Sequence, residues 1–583
     1  MDSLKNVKEG ISIEIKYLVF GFLCILMLSI FFAINIHFIG VTTDELGYLS
    51  FPAKICGWSE GGISGNFPYY GIGIGILWIP LFCFINDFII IYRLIIILNG
   101  ILLCISFLLS YVFLKKHFKT NNYKKLFLIA LVLILYPSNI YFMQDALAET
   151  LLYTLFWSLL LCINKILEND KWYYFIILGI VLVYMLLVHL RTLVIVMATV
   201  LFFIIRTIKD KKKWYNLFLI FIFIGIGLVL LEYAKQWHYN LFGTETAINS
   251  INTNLDIAGR IMDIFKKFLP FFKGLIGQLY YFFVAGNIAF FVGSIVCIYE
   301  GIKACIYFHE TKDGIKKSVY LFLGIVLLMN IVAFATNKTT IVRTETIVYG
   351  RYMENIIGPI LAIGLYWLSE QYKYNYRWKN LNYIFMFFVM FATPIILERM
   401  ESAESNMFGT SSAVAMGGFF EFYIQNVDLS FSLLKVVIVT CGFLCALEII
   451  ISLFKYKKLK PYTYLCIMGM FLTYWIYLGI DPIAEQLSMK EENYQKYHEA
   501  EKVIEKYDQV DLYYLNDDDE ANEMNIPIKY LQLLLEHKNI IAIDSEDDVN
   551  GSALILVDPG TNISNNSIRE IESTLVFDIY YKD

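Results

Sequence analysis

The sequence predicts a polytopic α-helical membrane protein with about thirteen transmembrane helices and a small α/β domain at its C-terminal end. Three observations carry that prediction. Of 583 residues, 58% are hydrophobic and 17% charged, where a soluble globular chain has about half and about a quarter. Apolar runs long enough to cross ~30 Å of hydrocarbon recur along the chain. Charge is also unevenly split. Residues 481–583 carry 8 Lys and Arg against 24 Asp and Glu, a net −16, while the rest carries 39 against 28, a net +11. The split divides the chain into a membrane domain, 1–480, and an acidic α/β domain, 481–583.

Basic clusters orient the spans. They fall at Lys5/Lys8, Lys115/Lys116/Lys124/Lys125, Lys165/Lys171, Arg206/Lys211/Lys212/Lys213, Lys312/Lys316/Lys317, Arg377/Lys379 and Lys455/Lys457/Lys458/Lys460. Placed in the cytoplasm, they alternate with loops poor in Lys and Arg. Spans are then expected near 17–39, 88–113, 124–143, 146–164, 173–189, 192–205, 214–232, 277–298, 318–336, 353–369, 382–397, 431–454 and 463–480. The first run is too long for a cleaved signal and lacks a small-residue cleavage site. The expectation is a multi-pass plasma-membrane protein with a cytoplasmic N-terminus and an extracytoplasmic C-terminal domain. Residues 71–84, apolar but short, read as an interfacial or re-entrant helix. A bias toward Ile, Lys, Asn, Phe and Tyr fits an AT-rich, bacterial genome.

The C-terminal domain opens with a polar helix near Glu485–Tyr507. Strands are expected at 510–515, 540–544, 553–557 and 575–580, with helices at 526–536 and 564–573. Ten cysteines are present, none after Cys466, so this domain has no disulfide framework. No cysteine pair or Cys/His cluster has zinc spacing.

Four places can carry chemistry. The first outer loop, 40–87, begins with Asp44 and Glu45, adjacent carboxylates beside the first span. Such a pair is costly next to lipid unless it is paired, binds a cation or does chemistry. On a helix the two point about 100° apart, so one can face a cavity and the other a partner. Helix capping by Thr42, Thr43 and Asp44 is the plain alternative. Asp145 and Glu149 come second, four apart on one helical face. An acid at a helix start is favoured by the dipole, but Glu149 lies a turn inside an apolar run. Third is His189-Leu190-Arg191, the interruption of an apolar stretch from Lys171 to Arg206. As one helix that stretch would measure roughly 50 Å, too long for the bilayer, so it must break there. Arg191 then sits at the outer face, to snorkel or to bind a phosphate. Fourth is Tyr349-Gly350-Arg351-Tyr352-Met353-Glu354, preceded by Arg343. Arginines entering a helix can hold an anion with its first amides; an Arg351–Glu354 pair is the structural alternative.

No P-loop, dinucleotide fingerprint, HExxH or GxSxG is present. Nothing suggests nucleic acid.

With these residues in view, the chain resembles the GT-C superfamily of membrane glycosyltransferases: the protein O-mannosyltransferases, the lipid A aminoarabinose transferases and their bacterial family 39 relatives. The resemblance covers about residues 15–370. It rests on Thr43-Asp44-Glu45-Leu46-Gly47-Tyr48, Pro68-Tyr69-Tyr70-Gly71-Ile72-Gly73, Ala146-Leu147-Ala148-Glu149-Thr150-Leu151, His189-Leu190-Arg191-Thr192 and the segment from Tyr349 to Pro359. It implies a sugar donor on a polyprenyl phosphate, undecaprenyl phosphate in bacteria, and a hydroxyl acceptor on a glycan, lipid or protein at the extracytoplasmic face. Asp44, with Glu45 second, is implied as the catalytic acid. Arg191, Arg351, Arg343 and His189 are implied as donor-phosphate ligands. Tyr48, Tyr69, Tyr70, Asp145, Glu149, Tyr352 and Glu354 are implied as substrate contacts. Some members use a divalent cation and others none; the residues leave a metal open. The chain lacks the Lys-Pro-Pro run of the aminoarabinose transferases in its first loop and the β-trefoil insert of the O-mannosyltransferases. Two rival functions are a lipid-glycan flippase or transporter and a non-catalytic envelope assembly protein. A pathway would spread charges through span centres, whereas these gather at outer span ends.

Overall fold

The computed structural model describes residues 2–40, 43–58, 70–209, 214–242, 262, 264–306, 312–336, 348–370, 377–401, 413–419, 429–453, 462–507, 509–515, 526–535, 538–543, 545–549, 551–561, 563 and 567–583. Among these, 11 helices are long and apolar enough to cross a membrane, or 12 if one bent pair forms a single span. The membrane helices begin with α1 (Asp2–Asn35), then α2 (Thr43–Ile55), α3 (Gly73–Phe84), α4 (Phe88–Phe118), α5 (Tyr123–Ile134), α6 (Pro137–Met143), α7 (Glu149–Asn169), α8 (Trp172–Val188) and α9 (Leu193–Lys209). They continue with α10 (Trp214–Phe242), α11 (Phe268–Ala285), α12 (Asn287–Ile306), α13 (Lys312–Thr336), α14 (Glu354–Ser369), α15 (Arg377–Glu401), α16 (Leu429–Leu453) and α17 (Thr463–Glu505).

Two expected spans differ for local reasons. The run 124–143 bends by 58° between α5 and α6. Pro137 has no N–H to give and forces Tyr136 before it into an extended conformation, ψ 136. The run 277–298, expected as one span, is divided between α11 and α12, which meet at Asn287 with φ 48. A left-handed residue ends the helical hydrogen-bond ladder. The run through His189 breaks as its length required: His189 is extended, φ −163, and a 3₁₀ turn, Leu190–Thr192, leads into α9.

The composition boundary at Asp481 falls inside α17, a 43-residue helix that at 1.5 Å per residue measures ~65 Å. It continues from the membrane bundle into the C-terminal domain without a break. That domain has β1 (Asp511–Leu515), α18 (Ile526–Leu534), β2 (Ile540–Ile543), β3 (Ala553–Val557), β4 (Ile568–Ser573) and β5 (Asp578–Lys582) in one sheet of order β2-β1-β3-β5-β4. β1 is parallel to β2 and β3, while β5 is antiparallel to β3 and β4. The segment 564–573, expected as a helix, supplies strand β4, because pairing with β5 satisfies its backbone and leaves its charged residues outward. Residues 564–566 lie outside the described residues. Leu512, Tyr514, Leu554, Leu556 and Ile579 point one way and join the core that includes the membrane helices. Tyr513, Leu515, Ile543, Ile555 and Val557 point the other way into a small core of their own. The domain meets the bundle through α18, which contacts α2, α4 and α17.

Candidate active site

The site is assembled where α2, α7, the α8–α9 break and the turn before α14 meet. The first turn of α2 holds Asp44 and Glu45, where acids complement the helix dipole. A disulfide between Cys56 and Cys83 ties the end of α2 to the end of α3, and the Trp58 indole N–H donates to the Phe82 carbonyl at 3.0 Å. Gly71, at φ 127, lets the chain before α3 lie against the end of α8; a Cβ there would meet the Val188 carbonyl at 2.3 Å. This brings the Tyr70 ring to 6.5 Å from His189. Gly350 lies flat on Tyr281, whose ring a Cβ would strike at 1.9 Å, and Arg351 follows at the start of a 3₁₀ turn.

Four of the charged residues converge. Arg351 Nη1 donates to Asp44 Oδ2 at 2.5 Å, and Arg351 Nε donates to Glu149 Oε1 at 2.6 Å. Arg191 Nη1 donates to the same Glu149 oxygen at 3.1 Å. The side chains of Glu149, Arg191 and Arg351 are 4, 5 and 7% exposed, while Asp44 at 25% is the member open to solvent. Two buried nitrogens of Arg191, Nε and Nη2, have no hydrogen-bond partner, and neither does Glu149 Oε2. Buried donors left unmade cost about 1–3 kcal/mol each, so Arg191 has two donors available to a further acceptor.

Aromatic and polar groups surround the four. The Arg191 guanidinium lies 5.5 Å from the Tyr352 ring centre. His189 Nδ1 accepts the Arg191 N–H at 3.1 Å, which leaves Nε2 as the protonated nitrogen. Tyr48 packs 5.4 Å from Tyr70, centre to centre. The Tyr70 hydroxyl donates to Asp44; burial first, then the Asp44 charge, hold it far above the ordinary phenol range. Burial first, then Glu149, does the same for Tyr48. Both remain neutral donors.

Three expected site residues lie elsewhere. Glu45 is fully buried on a different face of α2. Its Oε2 accepts the Gly40 N–H at 2.8 Å, and its Oε1 accepts the Tyr92 hydroxyl at 2.5 Å and the Ala146 N–H at 2.8 Å. The ~100° between adjacent helical residues turns it from Asp44's surroundings and consumes it structurally. Asp145 pairs with Lys490 of α17 at 2.7 Å and accepts from Gln486. Burial pushes its carboxyl up, with the Lys490 ammonium as the main opposing pull. Glu354 points into the bundle, accepting from Ser138 at 2.8 Å and from Tyr281; Arg351 pairs with Asp44 and Glu149 instead. Tyr69 and Arg343 lie outside the described residues. Among the described residues, no group of three or more His, Cys, Asp or Glu is placed to hold a metal ion.

Sequence reasoning missed Lys490, Gln486 and Tyr92, and it missed the Cys56–Cys83 bond. The disulfide had a signal: both cysteines lie within the expected first outer loop, on the side where disulfides persist. Lys490 had none, being one of three lysines on an acidic helix.

No protein-family model matches this sequence, and no curated protein does. Solved structures do. ArnT from Cupriavidus metallidurans bound to undecaprenyl phosphate superposes with a TM-score of 0.51 at 13% identity. The apo state of ArnT gives 0.50 at 12%. Each comparison covers 97% of both chains. This chain shares its fold with ArnT. The likeness extends past the expected 15–370 to nearly the whole chain, so the C-terminal domain belongs to the shared architecture.

Proposed function

We propose that this protein is a membrane glycosyltransferase. It moves a sugar from a polyprenyl-phosphate donor to a hydroxyl of an envelope glycan, lipid or protein on the extracytoplasmic face. The observation that carries the reading is the four-residue cluster. Buried Arg191, with two unpartnered nitrogens, is linked through Glu149 and Arg351 to the solvent-reaching Asp44. One end suits a phosphate and the other a reacting hydroxyl.

In the step, the acceptor O–H gives its proton to Asp44 as its oxygen bonds to the anomeric carbon. The bond from that carbon to the phosphate oxygen breaks, and its electron pair leaves with the lipid phosphate. Arg191 and Arg351 neutralise the leaving charge. No nucleotide is needed because the sugar arrives already activated on phosphate. Arg351 at rest is shared between Asp44 and Glu149, so a phosphate arriving at the guanidinium competes with Asp44 for it. Tyr48, Tyr70 and Tyr352 supply faces and hydroxyls for the sugar. Undecaprenyl phosphate bound to ArnT supports the lipid class of the donor. The extracytoplasmic orientation is supported by the basic clusters and by a disulfide at the site end of the bundle.

The test is incubation of purified protein with radiolabelled undecaprenyl-phosphate sugars and extracted envelope acceptors. Label should pass to an acceptor with wild type and not with Asp44→Asn. Undecaprenyl phosphate translocated across vesicles without any glycosyl transfer would replace this reading with the flippase.

A further inference from the structure

We propose that Lys490, in the C-terminal part of α17, is a positioning residue for the reacting cluster. This proposal rests on the glycosyl-transfer reading above. Lys490 is 1% exposed, and its ammonium has three close acceptors: the Tyr92 hydroxyl at 2.7 Å, the Gln144 carbonyl at 2.5 Å and Asp145 Oδ1 at 2.7 Å. An ammonium has three protons and no acceptor capacity, so all three donors are committed.

The consequence passes through Tyr92. Its oxygen accepts from Lys490, and its single proton goes to Glu45 Oε1 at 2.5 Å, the shorter of its two acceptor contacts. Glu45 is thereby held from three directions: by Gly40 after α1, by Tyr92 of α4 and by Ala146 before α7. Asp44 is the residue before Glu45, and Glu149 lies three residues after Ala146. The Glu45–Ala146 bond therefore fixes the start of α2 against the start of α7. Arg351 spans that same gap when it contacts Asp44 and Glu149 together. Without the ammonium, Glu45 and Asp145 face each other as uncompensated buried acids. The joint then loosens, and Arg351 can no longer hold both carboxylates at once. A second tie from the same domain, the Tyr530 hydroxyl donating to the Gly40 carbonyl at 3.0 Å, braces the same corner. The C-terminal domain thus completes the geometry of a site made of residues more than a hundred positions away.

The test uses full-length protein in nanodiscs, with active molecules counted by bound undecaprenyl phosphate. Lys490→Met should lower kcat per donor-binding site by about 10²-fold, the cost of misplacement by about an ångström, with donor affinity within about threefold of wild type. A merely structural lysine would lower the number of binding sites and leave kcat per site unchanged, and that result overturns the proposal. Tyr92→Phe removes the relay but keeps the Lys490–Asp145 pair, so it decides the matter if Lys490→Met does not fold. Its expected effect is a smaller fall in kcat, and an unchanged kcat overturns the proposal. Wild type assayed alongside separates the two claims, since absence of transfer by wild type refutes the glycosyl-transfer reading instead. A cryo-EM map of Lys490→Met, or of Tyr92→Phe, gives an arm free of activity. Loss of one Arg351 contact is expected; Arg351 still bridging Asp44 and Glu149 overturns the proposal whatever the turnover.

Discussion

Replacing Asp44 by Asn probes the proposed chemistry with the least disturbance. The amide keeps the shape and still accepts a hydrogen bond from Arg351. What it loses is the charge and the basic oxygen. Arg351 retains Glu149 at 2.6 Å, so no guanidinium is orphaned. The folding cost comes from weakening two charge-assisted hydrogen bonds, from Arg351 and Tyr70, each worth about 1.5–3 kcal/mol if lost outright. Asp44 is 25% exposed, which places the loss toward the low end. Catalysis should suffer more. Removing a general base costs ~10²–10⁴ in rate, equivalent to ~3–5 kcal/mol of barrier. Donor affinity should hold or rise, because Arg351 gives up a competing carboxylate. The assay is turnover and undecaprenyl-phosphate binding on one purified sample. Near-normal turnover refutes the base assignment. Lost donor binding moves Asp44 to the donor side or to a metal.

Three further outcomes follow from the same geometry. Arg191→Ala should weaken undecaprenyl-phosphate binding by tenfold or more, because it removes the free nitrogens; unchanged affinity in isothermal titration would leave Arg191 a structural partner of Glu149. Glu354→Gln should retain turnover within a few-fold, since its contacts are Ser138 and Tyr281 inside the bundle; a loss of a hundredfold without unfolding would return Glu354 to the site. A reporter fused beyond Asp481 should read extracytoplasmic and one after Lys213 cytoplasmic; a cytoplasmic C-terminal domain would reverse the proposed face of reaction.

The membrane class, the break at His189 and the gathering of charges near one end were legible because each has a cause within one stretch of sequence. Apolar runs of bilayer length, a run too long for one span and an arginine beside lipid need no partner to be recognised. The division between α11 and α12 was not legible, since Asn287 in the left-handed region leaves no composition shift across 277–298. Segment 564–573 was misread for a similar reason: local propensity allowed a helix, and the pairing with β5 that decides otherwise depends on the assembled sheet.

The adjacent acids of α2 show why a site is harder to read than a fold. Sequence reasoning anticipated that Asp44 and Glu45 face different ways, yet it could not know what each would face. Asp44 meets Arg351, 307 residues on, and stays part open. Glu45 meets Tyr92, Gly40 and Ala146, and is sealed in. A carboxylate with every oxygen engaged and no solvent cannot take a proton from an acceptor at ordinary cost, whereas one held by a guanidinium and a phenol and still part open to solvent can. The difference lies in partners supplied by the α14 turn on one side and by α4 and α17 on the other. Asp145 and Glu149 divide in the same manner, Asp145 to Lys490 and Glu149 to the two arginines. Each pair of neighbouring acids therefore gives one member to the scaffold and one to the cluster, and the scaffold members bond into a single network ending at Lys490. The face that carries Asp44 and Glu149 is held from behind by Glu45 and Asp145.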